Sequence, residues 1–125
     1  MKASQCIGLG AILAFFAVAL GAFGAHGLKN TLTPDMLAIY HTAVDYQLWH
    51  AIGLLIIGLI QQQNASRLLN KAALFMFAGI LIFSGSLYAL SLSGIKLLGA
   101  ITPIGGISFL IAWSLVAYAS FKPKQ

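Results

Sequence analysis

His41, Asp45 and His50 are the residues of this chain best suited to chemistry, and they fall in one stretch, YHTAVDYQLWHAIGLLIIGLI, from Tyr40 to Ile60. Imidazoles beside a carboxylate can bind a metal ion, relay protons or act as a general acid–base pair. On a helix, His41 and Asp45 are i,i+4 neighbours, as are Tyr46 and His50. At about 100° per residue, however, His41 and His50 point in nearly opposite directions, and Gln47 faces a third way. No local ligand stripe of the HExxH kind results. His26, upstream, can approach the outer turns of the next helix, so a His26/His41/Asp45 grouping is geometrically allowed. Three dispersed histidines, no CxxC pair and no second acidic ligand predict neither a metal site nor a haem or other cofactor. Nucleophilic catalysis has still less support, because Cys6, the single cysteine, lies far from every histidine. No catalytic residue is assigned, and the protein is not expected to be an enzyme.

The elements that carry these residues are membrane helices. The 125-residue chain is 60% hydrophobic and 7% charged, with a mean hydropathy of +0.94. Soluble domains carry about 25% charged residues, so the soluble class is excluded. Uncharged runs cover Cys6 to Ala25, Ala72 to Gly94 and Leu97 to Phe121. Each reaches the roughly 20 residues needed to cross a hydrocarbon core of about 30 Å. Leu48 to Ile60 is too short alone but long enough when extended back through Tyr40. The expectation is an all-α, single-domain bundle over 1–125, with four transmembrane spans near 5–26, 34–62, 71–93 and 103–121. The first apolar run exceeds a usual signal-peptide core, so it is expected to be retained as a span.

Seven Lys and Arg stand against two acidic residues, but the cations are isolated between apolar runs, which reads as topology and predicts no nucleic-acid partner. Lys2, Arg67, Lys71, Lys122 and Lys124 share one side; Lys29 and Lys96 face the other. That asymmetry places both termini in the cytoplasm of a cell whose inner (plasma) membrane holds the chain. TLTPDM offers Thr33 as a helix cap and Pro34 at the first helical position, and AITPIGG repeats the Thr-Pro signal before the last span. The GLK and GIK tripeptides upstream of these pairs hint at a duplicated helical hairpin.

Helices in lipid associate through small residues and interhelical hydrogen bonds. Gly21 and Gly24 on the first helix, Gly85 on the third, and Gly105 and Gly106 on the fourth are expected at packing surfaces, with the glycine faces of helices 1 and 3 in contact. Depth follows from helical rise. His50 is eleven residues from Gln61, roughly 16 Å and near mid-membrane, and Asp45 lies roughly 24 Å along, in the outer half. An ionised group there must face protein, water or a partner. The candidate intramembrane polar cluster comprises His26, Asp45, Tyr46, Gln47 and His50, with Ser84, Ser86, Tyr88 and Thr102 as partners from later helices. His50 is expected to be neutral and hydrogen-bonded to Tyr46 or to the hydroxyls of SGSLY, and Asp45 to face the outer mouth near His26. As structural glue, His50 should tolerate Gln better than Ala.

Four segments, ALGAFGAH (Ala19 to His26), YQLWH (Tyr46 to His50), FSGSLYAL (Phe83 to Leu90) and TPIGGISFL (Thr102 to Leu110), resemble the motifs of the YgdD family of small membrane proteins. That family is a domain of unknown function (423), with animal relatives called transmembrane protein 256. The resemblance covers nearly the whole chain in order. It implies a four-helix inner-membrane protein with no established activity. His26, Tyr46, Gln47 and His50 fall on its motifs, Asp45 stands where an acidic residue is expected, and His41 matches none. Small multidrug-resistance transporters share the length and span count but need an acidic residue in helix 1, which is missing here. The expected role is a non-enzymatic accessory or scaffold protein. Membrane lipids, a second copy or a larger membrane complex are its expected partners. Alternatives are a small carrier or channel with a polar cavity lined by helix 2, and a metal-binding membrane protein.

Overall fold

A computed structural model describes residues 1–123, and these are all-helical, with no strand among them. Lys124, one of the cations used to orient the chain, lies outside the described residues. Four helices among the described residues are long and apolar enough to cross a membrane. Helix α1 spans Ala3–His26, and its start is tied by the Gln5 side chain, which accepts from the Lys2 amide at 2.8 Å. Helix α2 spans Pro34–Gln63. Thr33 caps it by accepting from the Met36 amide at 3.3 Å, with Pro34 in the first turn, where its missing N–H costs nothing. Helix α3 runs over Arg67–Ser93, is capped by Ser66, and is π-helical over Ile80–Ser84. It stops at Gly94, whose φ of 75° suits a residue without a Cβ. A 3-10 turn, Lys96–Ala100, leads into α4, Thr102–Phe121. Here the second Thr-Pro pair behaves differently from the first: Thr102 turns its hydroxyl to Ser86 and caps nothing.

Short connections make consecutive helices antiparallel neighbours. The tightest seams are α1 with α2 and α3 with α4, and α2 packs against α3 to join the two pairs. Half of α2's most apolar window is buried but only 17% of α1's, so α2 and α3 form the centre and α1 and α4 the flanks. The core gathers Leu54, Ile57, Leu69, Ala72, Met76, Phe109 and Ala112.

The expected contact between the glycine faces of helices 1 and 3 is not how the helices pack. Gly10, Gly21 and Gly24 of α1 serve the α1–α2 seam, because the short Gly27–Thr33 connection sets α1 against α2. A Cβ on Gly10 would sit 2.8 Å from the Ala51 carbonyl oxygen, one on Gly21 would press the Val44 side chain at 3.2 Å, and one on Gly24 would overlap the Tyr40 ring. Gly105 of α4 lies against the backbone of Phe83, while Gly106 has only loose contact with the Phe83 ring. Gly85 has open space around it and packs against nothing.

Candidate functional site

The polar side chains at membrane depth divide into an interior set bonded between helices and an exposed set on the outside of α2. Gln47 is the centre of the first. Its Nε2 donates to the Leu13 carbonyl of α1 at 2.9 Å, and its Oε1 accepts from the Tyr88 hydroxyl of α3 at 2.7 Å. Four residues away on the same face, Ala43 offers its carbonyl to the Ser84 hydroxyl at 2.7 Å. The Ser86 and Thr102 hydroxyls are 2.6 Å apart and join α3 to α4. Three further interior bonds fall outside the expected cluster: Tyr40 to the Leu20 carbonyl, Ser108 to the Phe75 carbonyl, and the Cys6 thiol to Gln61 Oε1 at 3.4 Å. Ser108 was readable in principle, since it stands three residues after Gly105 on the helix face that meets α3.

His50 is buried and makes its hydrogen bond locally. Its Nδ1 is 2.7 Å from the Tyr46 carbonyl; that oxygen can only accept, so Nδ1 carries the proton. The hydroxyls of Ser84, Ser86 and Tyr88, which the sequence offered as partners, are directed to Ala43, Thr102 and Gln47 instead. What holds the imidazole across helices is aromatic: its ring lies 3.5 Å from that of Phe109 of α4 at 13°, and within α2 it also stacks on Tyr46, 5.7 Å away at 12°. Tyr46 in turn stacks on Phe83 at 4.4 Å.

The nine candidate residues therefore do not form one cluster. Gln47 with Tyr88, Ser86 with Thr102, and Ser84 with a carbonyl are separate interhelical ties, His50 belongs to an aromatic stack, and His26 and Asp45 are exposed. No ion pair or hydrogen bond joins Asp45 to His26 or His41 among the described residues. Asp45 is nonetheless deep. Phe83 is the central residue of the uncharged run Ala72 to Gly94, and the ring stacked on it belongs to Tyr46, the neighbour of Asp45 in sequence. One residue of helix is about 1.5 Å of depth, so with Phe83 taken as the middle of its span Asp45 lies close to mid-membrane, deeper than the outer-half position expected from counting back from Gln61. A carboxylate there costs about 2.5–3.5 kcal/mol or more if it faces hydrocarbon.

Among the described residues no three of His, Cys, Asp or Glu converge to hold a metal ion. A cleft of about 820 Å³ opens at the bundle end that bears Asn64, Arg67 and Lys122, away from Gln47 and His50.

The family described as "Protein of unknown function (DUF423)" matches the chain over residues 20–106. The UPF0382 membrane protein YwdK of Bacillus subtilis (strain 168) is 46% identical over 115 residues, 91% of this chain and 94% of that protein. A UPF0382 membrane protein of Staphylococcus epidermidis (strain ATCC 12228 / FDA PCI 1200) is 47% identical over 114 residues, 91% and 93% of the two chains. UPF0382 membrane protein SAUSA300_0565 of Staphylococcus aureus (strain USA300) reaches 49% identity over 114 residues, again 91% of this chain and 93% of that protein. No solved structure matches.

Proposed function

The chain belongs to the DUF423 family of membrane proteins of unknown function, and from that premise we propose that it is a non-enzymatic accessory or scaffold protein. It resides in the inner (plasma) membrane with both termini cytoplasmic and packs against other membrane proteins. The carrying observation is the disposition of interior polar groups. Gln47, Ser84, Ser86, Tyr88, Thr102 and Ser108 are each engaged by another helix, an arrangement suited to fixing helix register and not to handling a substrate. A small carrier or channel would need these groups to line a wet path, and a metal-binding protein would need converging ligands. Their pairing in separate ties supports the accessory reading over both.

Orientation rests on the cations. Lys2, Arg67 and Lys122 border the clefts at one end of the bundle, whereas Lys29 and Lys96 lie in the connections at the other. The richer end belongs in the cytoplasm.

Purification in mild detergent, with mass analysis of proteins, lipids and metals that accompany the chain, tests the role. A membrane protein recovered in fixed stoichiometry, with no bound metal, is the expected result. Ion or solute flux in vesicles containing only this protein, lost in Gln47→Leu while the fold persists, would overturn it.

A further inference from the structure

Asp45 does not stand alone on the outer face of α2. His41, Asp45, Trp49, Ile52, Ile56 and Leu59 are all exposed and recur every three or four residues, so they form one stripe along the helix. Below Asp45 the stripe is large and apolar, with Trp49 55% and Ile52 45% exposed. At Asp45, near mid-membrane, it presents a carboxylate with no partner among the described residues. Apolar side chains on this face are at home in lipid; the carboxylate is not. Whatever covers it must bring a hydrogen-bond donor or a cation to that depth.

The stripe itself carries such a group. His41 is one helical turn, about 6 Å, from Asp45 on the same face. When two parallel helices pack knobs into holes, a residue of one inserts beside the partner residue one turn away as well as the one at its own level. Two copies of this chain, inserted with the same orientation, meet about a two-fold axis along the membrane normal, and each stripe faces its own duplicate. The His41 imidazole of either copy then reaches the Asp45 carboxylate of the other, and Trp49, Ile52, Ile56 and Leu59 close the seam beneath.

We propose that the His41–Leu59 stripe of α2 is a homodimer seam, in which the two copies exchange reciprocal His41–Asp45 hydrogen bonds inside the membrane. This names the partner for the accessory role proposed above and rests on it only for the idea that the protein acts through contacts with other membrane proteins. A single polar pair in an otherwise apolar helix seam also fixes register, because sliding by one turn separates donor from acceptor.

The test is made in native membranes on the full chain in a Cys6→Ser background. Ile52→Cys, on the seam, should form a disulfide-linked dimer under a membrane-permeant oxidant, whereas Phe15→Cys and Leu110→Cys, exposed on α1 and α4, should not. Asp45→His and His41→Asp each leave only like groups one turn apart across the seam, so the complementary contact is lost, and each should lower the cross-linked fraction roughly tenfold, within the range measured for intramembrane polar pairs. The double exchange His41→Asp with Asp45→His keeps the pair complementary and should restore cross-linking. All these positions are exposed, so monomer stability in detergent should hold throughout. Cross-linking equal in both single variants and the double exchange would overturn the reciprocal pair. An Ile52→Cys chain that links to a different protein, or to none, would overturn the dimer; the first result leaves the accessory role standing. A dimer that forms as described yet conducts solute would retain the seam and sink the accessory role instead.

Discussion

Gln47 is the residue whose replacement separates interhelical ties from aromatic packing. Its amide joins α1 and α3 to α2 at once, whereas His50, one turn deeper, bonds only to its own helix and is held by Phe109. Gln47→Leu removes two interhelical bonds and strands the Tyr88 hydroxyl. Intramembrane bonds average about 0.6 kcal/mol each and an unpaired group adds to that, so the expected loss is roughly 1–3 kcal/mol. His50→Phe keeps the stack and should cost less than about 1 kcal/mol. Unfolding in a denaturing detergent titration compares the two; an equal or larger loss in His50→Phe would show that the imidazole is the more important tie. Of the two kinds of partner expected for His50, Tyr46 on its own helix is the one used, through its carbonyl, and the stack on Phe109 makes Phe the conservative exchange. Spacing within α2 showed which residues share a face, and it separated Gln47 from His41 correctly. It could not show which face met protein, because partners from α1 and α3 are set by helix order in space.

At the level of elements, the π-helical segment of α3 has the largest effect on packing. A π turn accommodates an extra residue and shifts the faces of the helix on either side of it. Phe83 and Ser84 lie within it: the backbone of Phe83 meets Gly105 of α4, and the Ser84 hydroxyl reaches Ala43 of α2. Gly105→Ala puts a methyl group into backbone that cannot move aside, so a loss of about 1–3 kcal/mol is expected. Gly85→Ala, in open space two residues beyond Phe83, should be neutral or stabilise by up to about 1 kcal/mol through helix propensity. Melting curves of the two purified variants decide it, and equal loss at both sites would refute the assigned seam. Helix starts at Thr33-Pro34 and the turn at Gly94 were legible because caps and glycines act locally. The π turn was not, since nothing in ILIFS differs from ordinary membrane helix; it follows from what α2 and α4 require of α3.

For the whole molecule, three spans were legible from hydropathy alone, because length and apolarity define a membrane helix, and the second became legible only when its short apolar run was extended back through Tyr40. Which helices touch was not, and a count of glycines suggested the wrong pair. Orientation is the property that labelling decides. In a Cys6→Ser background, Asn30→Cys should react with an impermeant thiol reagent from outside intact cells and Asn64→Cys only after permeabilisation; external labelling of Asn64→Cys would reverse the topology. The tight seams join α1 to α2 and α3 to α4, each pair being consecutive in the chain. During synthesis, then, each hairpin has its main partner at hand as soon as its second helix leaves the ribosome. The first can settle in the bilayer before the second is made. Gln47 and Ala43 wait with unmet hydrogen-bonding capacity until Tyr88 and Ser84 arrive. On that order, assembly runs as two hairpin insertions and one late docking of α2 on α3, and the Asn64–Ala65 step, beyond the end of α2 and before the Ser66 cap of α3, is where a break in the chain should do least harm.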